Sequence, residues 1–335
     1  MRKETIEIKS LTIGYKTRRG ARIVASDINT KLYSGELTCI LGANGVGKST
    51  LLKTLSSFLP KIEGEIYILG KDIASYSEEN LAAKVSVVLT EKCDVHNMSV
   101  RELVSMGRSP YTGFWGKLGD EDQEIIEKSM REVKIENLAD KMIDTLSDGE
   151  RQKAMLAKAL AQDTPIIILD EPTAFLDYPS KIEIMMLLHN IARHRESTIF
   201  VSTHDLDLAL QLADRIWLMD KKRGITIGTP EDLSLRGELN NFFSKKDIKF
   251  DLDSGYFKVS ANYHSHIKLL GSGQKYSMIK KALQRNGIEA SREVETDMFI
   301  NAGEMNDKTI VIHIPEKEEV EVESIDDMLD LIIQH

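Results

Sequence analysis

Cysteine is scarce: Cys39 and Cys93 are the two thiols in 335 residues. They are far apart and outside any CxxC spacing. That excludes a disulfide framework and a cysteine zinc site, and points to a reducing, cytosolic setting. Cys39 lies in an apolar run and reads as a small buried hydrophobe, whereas Cys93 stands in a polar stretch. No run of about 18 apolar residues occurs. The opening Met1-Arg2-Lys3-Glu4 has no apolar segment of signal-peptide length. Any work at a membrane is therefore expected to be peripheral, on its inner face. Positive charge is not in excess: the formal net charge of −9 argues against nucleic acid as a partner. There are no internal repeats and no heptad arms. The acidic stretch 316–323 is expected to be a solvated edge or loop.

What is present suits two domains at this length. Residues 5–13 alternate apolar and polar, as a half-exposed strand does, and 62–69 alternate again as an antiparallel edge piece. Leu37–Leu41 and 85–89 read as buried strands. From about 91 to 160 the texture is helical: Ser99-Val100-Arg101-Glu102 is a capping box, and a later helix begins near Gly149. Strands return at 166–169, 198–202 and 216–219, with a helix carrying Pro179 in its first turn. Strands separated by helices indicate α/β, a mainly parallel sheet with an antiparallel edge and a helical insert. The core is expected to span 1–235 and a linker 236–255. A small α+β domain is expected over 256–335, with strands near 256–259, 266–270, 298–300 and 309–314 and helices near 276–286 and 324–333. There His264 and His266 share a strand face, but no third ligand accompanies them, so surface histidines are expected.

Gly42-Ala43-Asn44-Gly45-Val46-Gly47-Lys48-Ser49-Thr50 fits G-x-x-x-x-G-K-[ST] between a strand and a helix. The glycines let successive N–H groups turn toward phosphate oxygens at a helix N-terminus. Lys48 would supply charge to the β- and γ-phosphates, and Ser49 a hydroxyl for Mg²⁺. The run 166–169 delivers Asp170 and Glu171 to the carboxyl edge of the sheet, where α/β folds bind ligands. Asp170 would hold the Mg²⁺ shell, and Glu171 would orient and deprotonate the attacking water.

Leu146-Ser147-Asp148-Gly149-Glu150-Arg151-Gln152 resembles the LSGGQ signature of ABC ATPases. Asp177 matches that family's D-loop, His204 its switch histidine, and Tyr15 the aromatic that stacks on adenine. Together these cover roughly residues 4–235. Ser147 and Gly149 also precede a helix, so an ordinary N-cap is equally compatible, and Tyr15 alone could be core or surface. The resemblance implies ATP and Mg²⁺ as ligands and ATP hydrolysis as the activity. It also implies a head-to-tail dimer in which the signature of one copy caps the nucleotide of the other. Two departures stand out. Asp148 and Glu150 replace the usual Gly and Gln of the signature. Thr90-Glu91 stands where the family's Q-loop glutamine is usual, so Thr90 would reach Mg²⁺ through water, with altered coupling or slower turnover expected and ATP binding kept.

Met98–Val104 and Gly107-Arg108-Ser109-Pro110-Tyr111 are similar to the ATPases of importers for iron–siderophore complexes, haem and cobalamin. That resemblance implies two transmembrane permease subunits and, indirectly, a substrate-binding protein as partners. Leu103, Val104 and Met106 would be candidates to meet a permease coupling helix. A soluble ATPase of iron–sulfur cluster assembly is the alternative.

Overall fold

The computed structural model describes residues 3–18, 20–89, 97–113, 116–243, 248–251, 256–259, 263–303, 309–315 and 318–333. Thr90, Glu91 and Cys93 therefore lie outside the described residues. The chain separates into two compact units, Met1–Phe242 and Phe243–His335.

In the first unit, β1 (Glu4–Thr17) pairs antiparallel with β2 (Gly20–Tyr33), and β3 (Leu37–Leu41) leads into α1 (Lys48–Leu55). Next come β4 (Glu63–Ile68), β5 (Lys71–Asp72), α2 (Glu78–Ala82) and β6 (Val85–Val88). The insert carries α3 (Val100–Ser105), α4 (Asp120–Glu132) and α5 (Asp148–Ala161). The chain then returns through β7 (Ile166–Asp170), α6 (Tyr178–Arg195), β8 (Thr198–Ser202), α7 (Leu206–Leu212), β9 (Arg215–Asp220) and β10 (Gly224–Gly228). Helices α8 (Pro230–Leu235) and α9 (Glu238–Phe243) follow.

Two sheets result. One has the order β10-β9-β3-β8-β7-β6, parallel except for β10. The other is antiparallel, with the order β2-β1-β4-β5. Helix α1 buries Leu51, Leu52 and Leu55 in the core they share, with Ile6, Ile8 and Ile66 from the antiparallel sheet and Ile40, Phe200 and Trp217 from the parallel one. The strands β3, β7 and β8 are buried at every position, as parallel strands covered on both faces must be. Cys39 is fully buried, and burial pushes its thiol up to about 12, so it is inert packing.

The strand β2 gave a weak sequence signal because it mixes apolar and polar residues and buries only Ile28 and Leu32. Helix α1 stops at Leu55. Ser56 turns its hydroxyl back to Leu52 O (2.7 Å), and Ser57 adopts φ 63°.

The insert is held by a buried pair. Arg108, 6% exposed, donates to Asp122 of α4 (2.8 Å) and to Ala161 O at the end of α5 (3.0 Å). Gly107 beside it touches α5 so closely that a Cβ would stand 2.3 Å from Lys158 O, so only glycine fits there. The Gly107-Arg108 motif is thus an internal clamp. Leu103 and Val104 are likewise buried inside the insert, which removes them as partner contacts, whereas Met106 is exposed.

In the second unit, β11 (Ile248–Asp251) and β12 (Tyr256–Val259) form an antiparallel pair. The Phe257 ring packs on Phe243 and Phe250, each at 5.0 Å. Residues 236–255, expected as a linker, thus carry α9 and β11. A five-stranded sheet follows, from β13 (Ser265–Leu270), α10 (Gly273–Arg285), β14 (Ile288–Ser291), β15 (Phe299–Asn301), β16 (Ile310–His313), β17 (Val320–Val322) and α11 (Ile325–Ile333). Its order is β14-β13-β15-β16-β17. Ile279 and Leu283 of α10 and Met328 and Ile332 of α11 close its core over Leu269, Ile300 and Ile312. The acidic stretch contributes the edge strand β17, whose charges suit an exposed edge. His266 Nδ1 lies 2.8 Å from Glu289 Oε2 across the pairing of β13 and β14.

Candidate active site

The site is assembled by sheet order. Strand β8 lies between β3 and β7, and its Ser202 pairs with Ile40 on one side and Asp170 on the other. The chain leaves all three at their carboxyl ends, into the loop before α1, the acidic turn and the histidine turn. Residues more than 120 positions apart in sequence therefore meet at one crevice, the place where open α/β sheets bind ligands.

The Gly-rich loop is shaped by backbone conformations that side chains resist. Gly47 caps α1 at φ 122°, and a Cβ there would collide with Val24 Cγ1 at 2.2 Å. Gly45 sits at φ 70°. Asn44 and Ser49 are exposed at the mouth of this loop, while Thr50 is buried. Lys48, 5% exposed, donates to Gly42 O (2.9 Å), which folds the side chain over the loop. Burial lowers its pKa below the ordinary lysine value, opposed by the charges of Glu171 and Asp170. A buried ammonium so placed is primed for an anionic ligand.

Lys48, His204 and Glu171 converge. His204 Nε2 lies 2.5 Å from Glu171 Oε1 and 3.3 Å from Lys48 Nζ, and Lys48 Nζ is 4.0 Å from Glu171 Oε1. One imidazole nitrogen cannot donate to Glu171 and accept from Lys48 at once, so the three compete for one space. Glu171 is held in a strained left-handed conformation, φ 51°. Its N–H donates to Ser202 Oγ (2.9 Å), and that hydroxyl donates to Asp170 Oδ1 (2.5 Å). Ser202 thus orients both acids. It carried no role in sequence, because a serine ending a strand gives no signal until β7 and β8 are known to be neighbours.

Tyr15, 45% exposed on β1, places its hydroxyl 3.0 Å from Thr50 Oγ1 of α1, so a half-open aromatic face stands beside the loop. Ser49 and Asp170 offer a hydroxyl and a carboxylate, hard oxygen donors that fit a Mg²⁺ ion keeping several waters.

Ser147 and Gly149 are not brought to this crevice within one chain. Ser147 caps α5: its Oγ accepts from Glu150 N (3.3 Å), and Glu150 Oε2 accepts from Ser147 N (2.9 Å). Glu150 therefore replaces the family glutamine as the reciprocal partner in a capping box. Asp177 caps α6, accepting from Ser180 N (3.1 Å), and hydrogen bonds from the Ser180 side chain and then its backbone hold the carboxyl below the usual range. The Ser147 bonds likewise lower the Glu150 pKa from 4.5. The cap is therefore complete above that value and is lost as pH falls through the lowered one. Ser147→Ala should cost about 1 kcal/mol. Thermal unfolding at pH 7 and pH 3 checks this, with the difference expected to shrink in acid.

A phosphate loop before a helix, an acidic strand end and a histidine turn on adjacent parallel strands define a nucleotide-hydrolysing cassette. The family model described as ABC transporter matches residues 25–174, and that described as Iron ABC transporter C-terminal domain matches 264–332. An uncharacterized ABC transporter ATP-binding protein of Methanocaldococcus jannaschii is 40% identical over 77% of this chain and 87% of its own. The ferric enterobactin transport ATP-binding protein of Escherichia coli is 34% identical over 67% of this chain and 82% of its own. A solved dimeric bacterial ABC transporter cassette, 25% identical, superposes with TM-score 0.59 over 67% of this chain and 98% of its own. The chain belongs to the ABC transporter ATP-binding proteins: it is an ATP-binding cassette ATPase. No helix among the described residues is long and apolar enough to cross a membrane.

Proposed function

We propose that this chain is one of two identical ATPase subunits that drive a membrane permease importing an iron complex, bound peripherally at the inner face of the membrane. The observation that carries hydrolysis is the convergence of Lys48, His204 and Glu171 at the ends of β3, β8 and β7. The relatives' names and the matched C-terminal domain favour the iron complex. The cluster-assembly alternative draws no support from these relatives.

The backbone amides around Gly42, Asn44, Gly45 and Gly47, together with Ser49 and Thr50, cradle the phosphates, and Tyr15 stacks on adenine. Ser49 and Asp170 hold Mg²⁺, which supplies charge neutralisation on the phosphates. Glu171 takes a proton from the attacking water. Water oxygen bonds to the γ-phosphorus as the bond to the β–γ bridging oxygen breaks, and ADP departs with that oxygen. Lys48 and His204 donate to the γ-phosphate, where negative charge is redistributed. A γ-phosphate beside Lys48 Nζ takes over the donors that now face Glu171, which frees the carboxylate to act as base. Ser147, Gly149 and Asp177 act across the dimer, on the partner's nucleotide. Thr90 would contribute through water.

The test is purification of the full chain from its native membrane. A polytopic permease should co-purify, and MgATP hydrolysis should rise with the permease's iron-complex cargo. Co-purification with cluster scaffold proteins instead would overturn the import reading. A nucleotide-loaded dimer with segment 146–152 far from either triphosphate would overturn the sandwich.

A further inference from the structure

Asp205 follows His204 directly and spends its two carboxylate oxygens on different parts of the molecule. Oδ2 accepts from Thr173 Oγ1 (3.0 Å), two residues past Glu171 and itself buried. Oδ1 accepts from Lys181 Nζ (3.1 Å) in the first turn of α6. The Asp205 N–H meanwhile donates to Thr203 Oγ1 (3.0 Å), which tightens the histidine turn.

Lys181 is oddly placed on its own helix. A cation in the first turn opposes the helix dipole; the N-cap carboxylate of Asp177 bonds to Ser180 N (3.1 Å), and it is Asp205, from another element, that pairs with Lys181. The same first turn holds Asp177 as its N-cap and packs Ser180 against the signature segment: a Cβ on Gly149 would stand 3.6 Å from Ser180 Oγ. One carboxylate thus ties the His204 turn to the turn after Glu171 and to the helix that abuts Gly149.

We propose that Asp205 is a positioning residue that couples the placement of α6 to the hydrolytic step. It sets His204 and Glu171 according to where the Asp177–Lys181 turn stands. This rests on the reading of Lys48, Glu171 and His204 as the hydrolytic groups, and it adds a link between them and the segments assigned to the partner's nucleotide. When Asp177 and Gly149 engage that nucleotide, the first turn of α6 is where a displacement enters, and the Lys181–Asp205 pair carries it to the base and the histidine. Geometry errors of about 1 Å at such groups cost on the order of 100-fold in rate, so a two-bond clamp is sufficient to gate turnover.

The experiment measures steady-state ATP hydrolysis, affinity for a fluorescent ATP analogue, and melting temperature on the full chain. Asp205→Ala, Asp205→Asn, Lys181→Met and Thr173→Val are compared with the conservative Thr173→Ser and Lys181→Arg. Asp205→Ala and Lys181→Met should each lower kcat by about 10- to 100-fold with ATP affinity within about threefold of wild type. The double variant should be no worse than Asp205→Ala alone, because the two act as a unit. Thr173→Ser and Lys181→Arg should retain most of the rate.

Wild-type kcat in folded Asp205→Ala and Asp205→Asn overturns the proposal. So does a parallel loss of rate, affinity and melting temperature in all six variants, which marks a merely structural contact. Lys48→Met run alongside keeps the outcomes distinct. If wild-type hydrolysis is insensitive to Lys48→Met, the hydrolytic reading itself fails; if it is sensitive and Asp205 is silent, only the coupling fails.

Discussion

Glu171→Gln should halt ATP turnover while leaving ATP bound, so that the protein accumulates as a MgATP-loaded dimer. The physical reason is that the substitution keeps the shape of the side chain and its backbone bonds to Ser202 but removes the base. General-base catalysis contributes about 100- to 10,000-fold, so single-turnover rates should fall by at least about 100-fold. Binding should not weaken, because removing a carboxylate beside the γ-phosphate also removes a like-charge repulsion. ATP then acts as a ligand of the closed dimer that is never discharged, and the population shifts toward that state. Size-exclusion chromatography with saturating MgATP reads the dimer, and a filter assay reads retained nucleotide. Rapid turnover in this variant would remove Glu171 from the mechanism, and a persistent monomer would count against nucleotide bound between two copies.

Lys48→Met acts at the earlier step. It keeps the aliphatic stem that fills the space over Gly42 and deletes the charge. Charge-assisted bonds to phosphate are roughly twice as strong as neutral ones, and loss of such a stabilising donor typically costs about 100- to 1,000-fold in kcat. Hydrolysis should therefore fall to background, as it should in Lys48→Ala. Stability without nucleotide should move the other way. Because burial holds the Lys48 pKa below 10.5, the folded protein carries a penalty for the charge that is complete below the lowered pKa. The penalty shrinks as pH rises through that value toward 10.5. Lys48→Met should thus melt no lower than wild type at pH 7, and the gap between them should narrow in alkali. A Met variant that melts well below wild type at pH 7 while hydrolysis survives would contradict both parts.

Much of the cassette is legible in the amino-acid sequence. The loop 42–50 reads directly because its chemistry is local: glycines permit the turn, and lysine and serine stand one and two residues further on. The buried strands read because covered parallel strands are continuously apolar, and Ser99 because a capping box spans four residues; the box that Ser147 closes with Glu150 emerged in the structure. The long strand β2 did not read, since its alternation is confined to Ile28–Leu32 and the rest of the arm buries no residue. The acidic stretch read as a solvated edge or loop, and the choice between them was left to the structure, because the three residues of β17 carry too little pattern. The motif at Gly107-Arg108 was legible as a resemblance, but its reason was not. That reason is a close approach to α5 and a buried pair with Asp122, partners in other elements.

The amino-acid order alone determined which groups this protein brings to its chemistry: the ammonium of Lys48, the carboxylates of Asp170 and Glu171, the imidazole of His204, and the signature at 146–152. Strand order decided how they meet. Placing β8 between β3 and β7 brings His204 to Glu171, gives Ser202 its hold on both acids and sets Asp205 against Thr173, and packing α6 beside the histidine turn gives Asp205 its bond to Lys181. Chain-local forces select turns, caps and strand or helix over a few residues. Which strand lies next to which is settled by burial of apolar faces across the whole domain, and no short stretch of sequence encodes it.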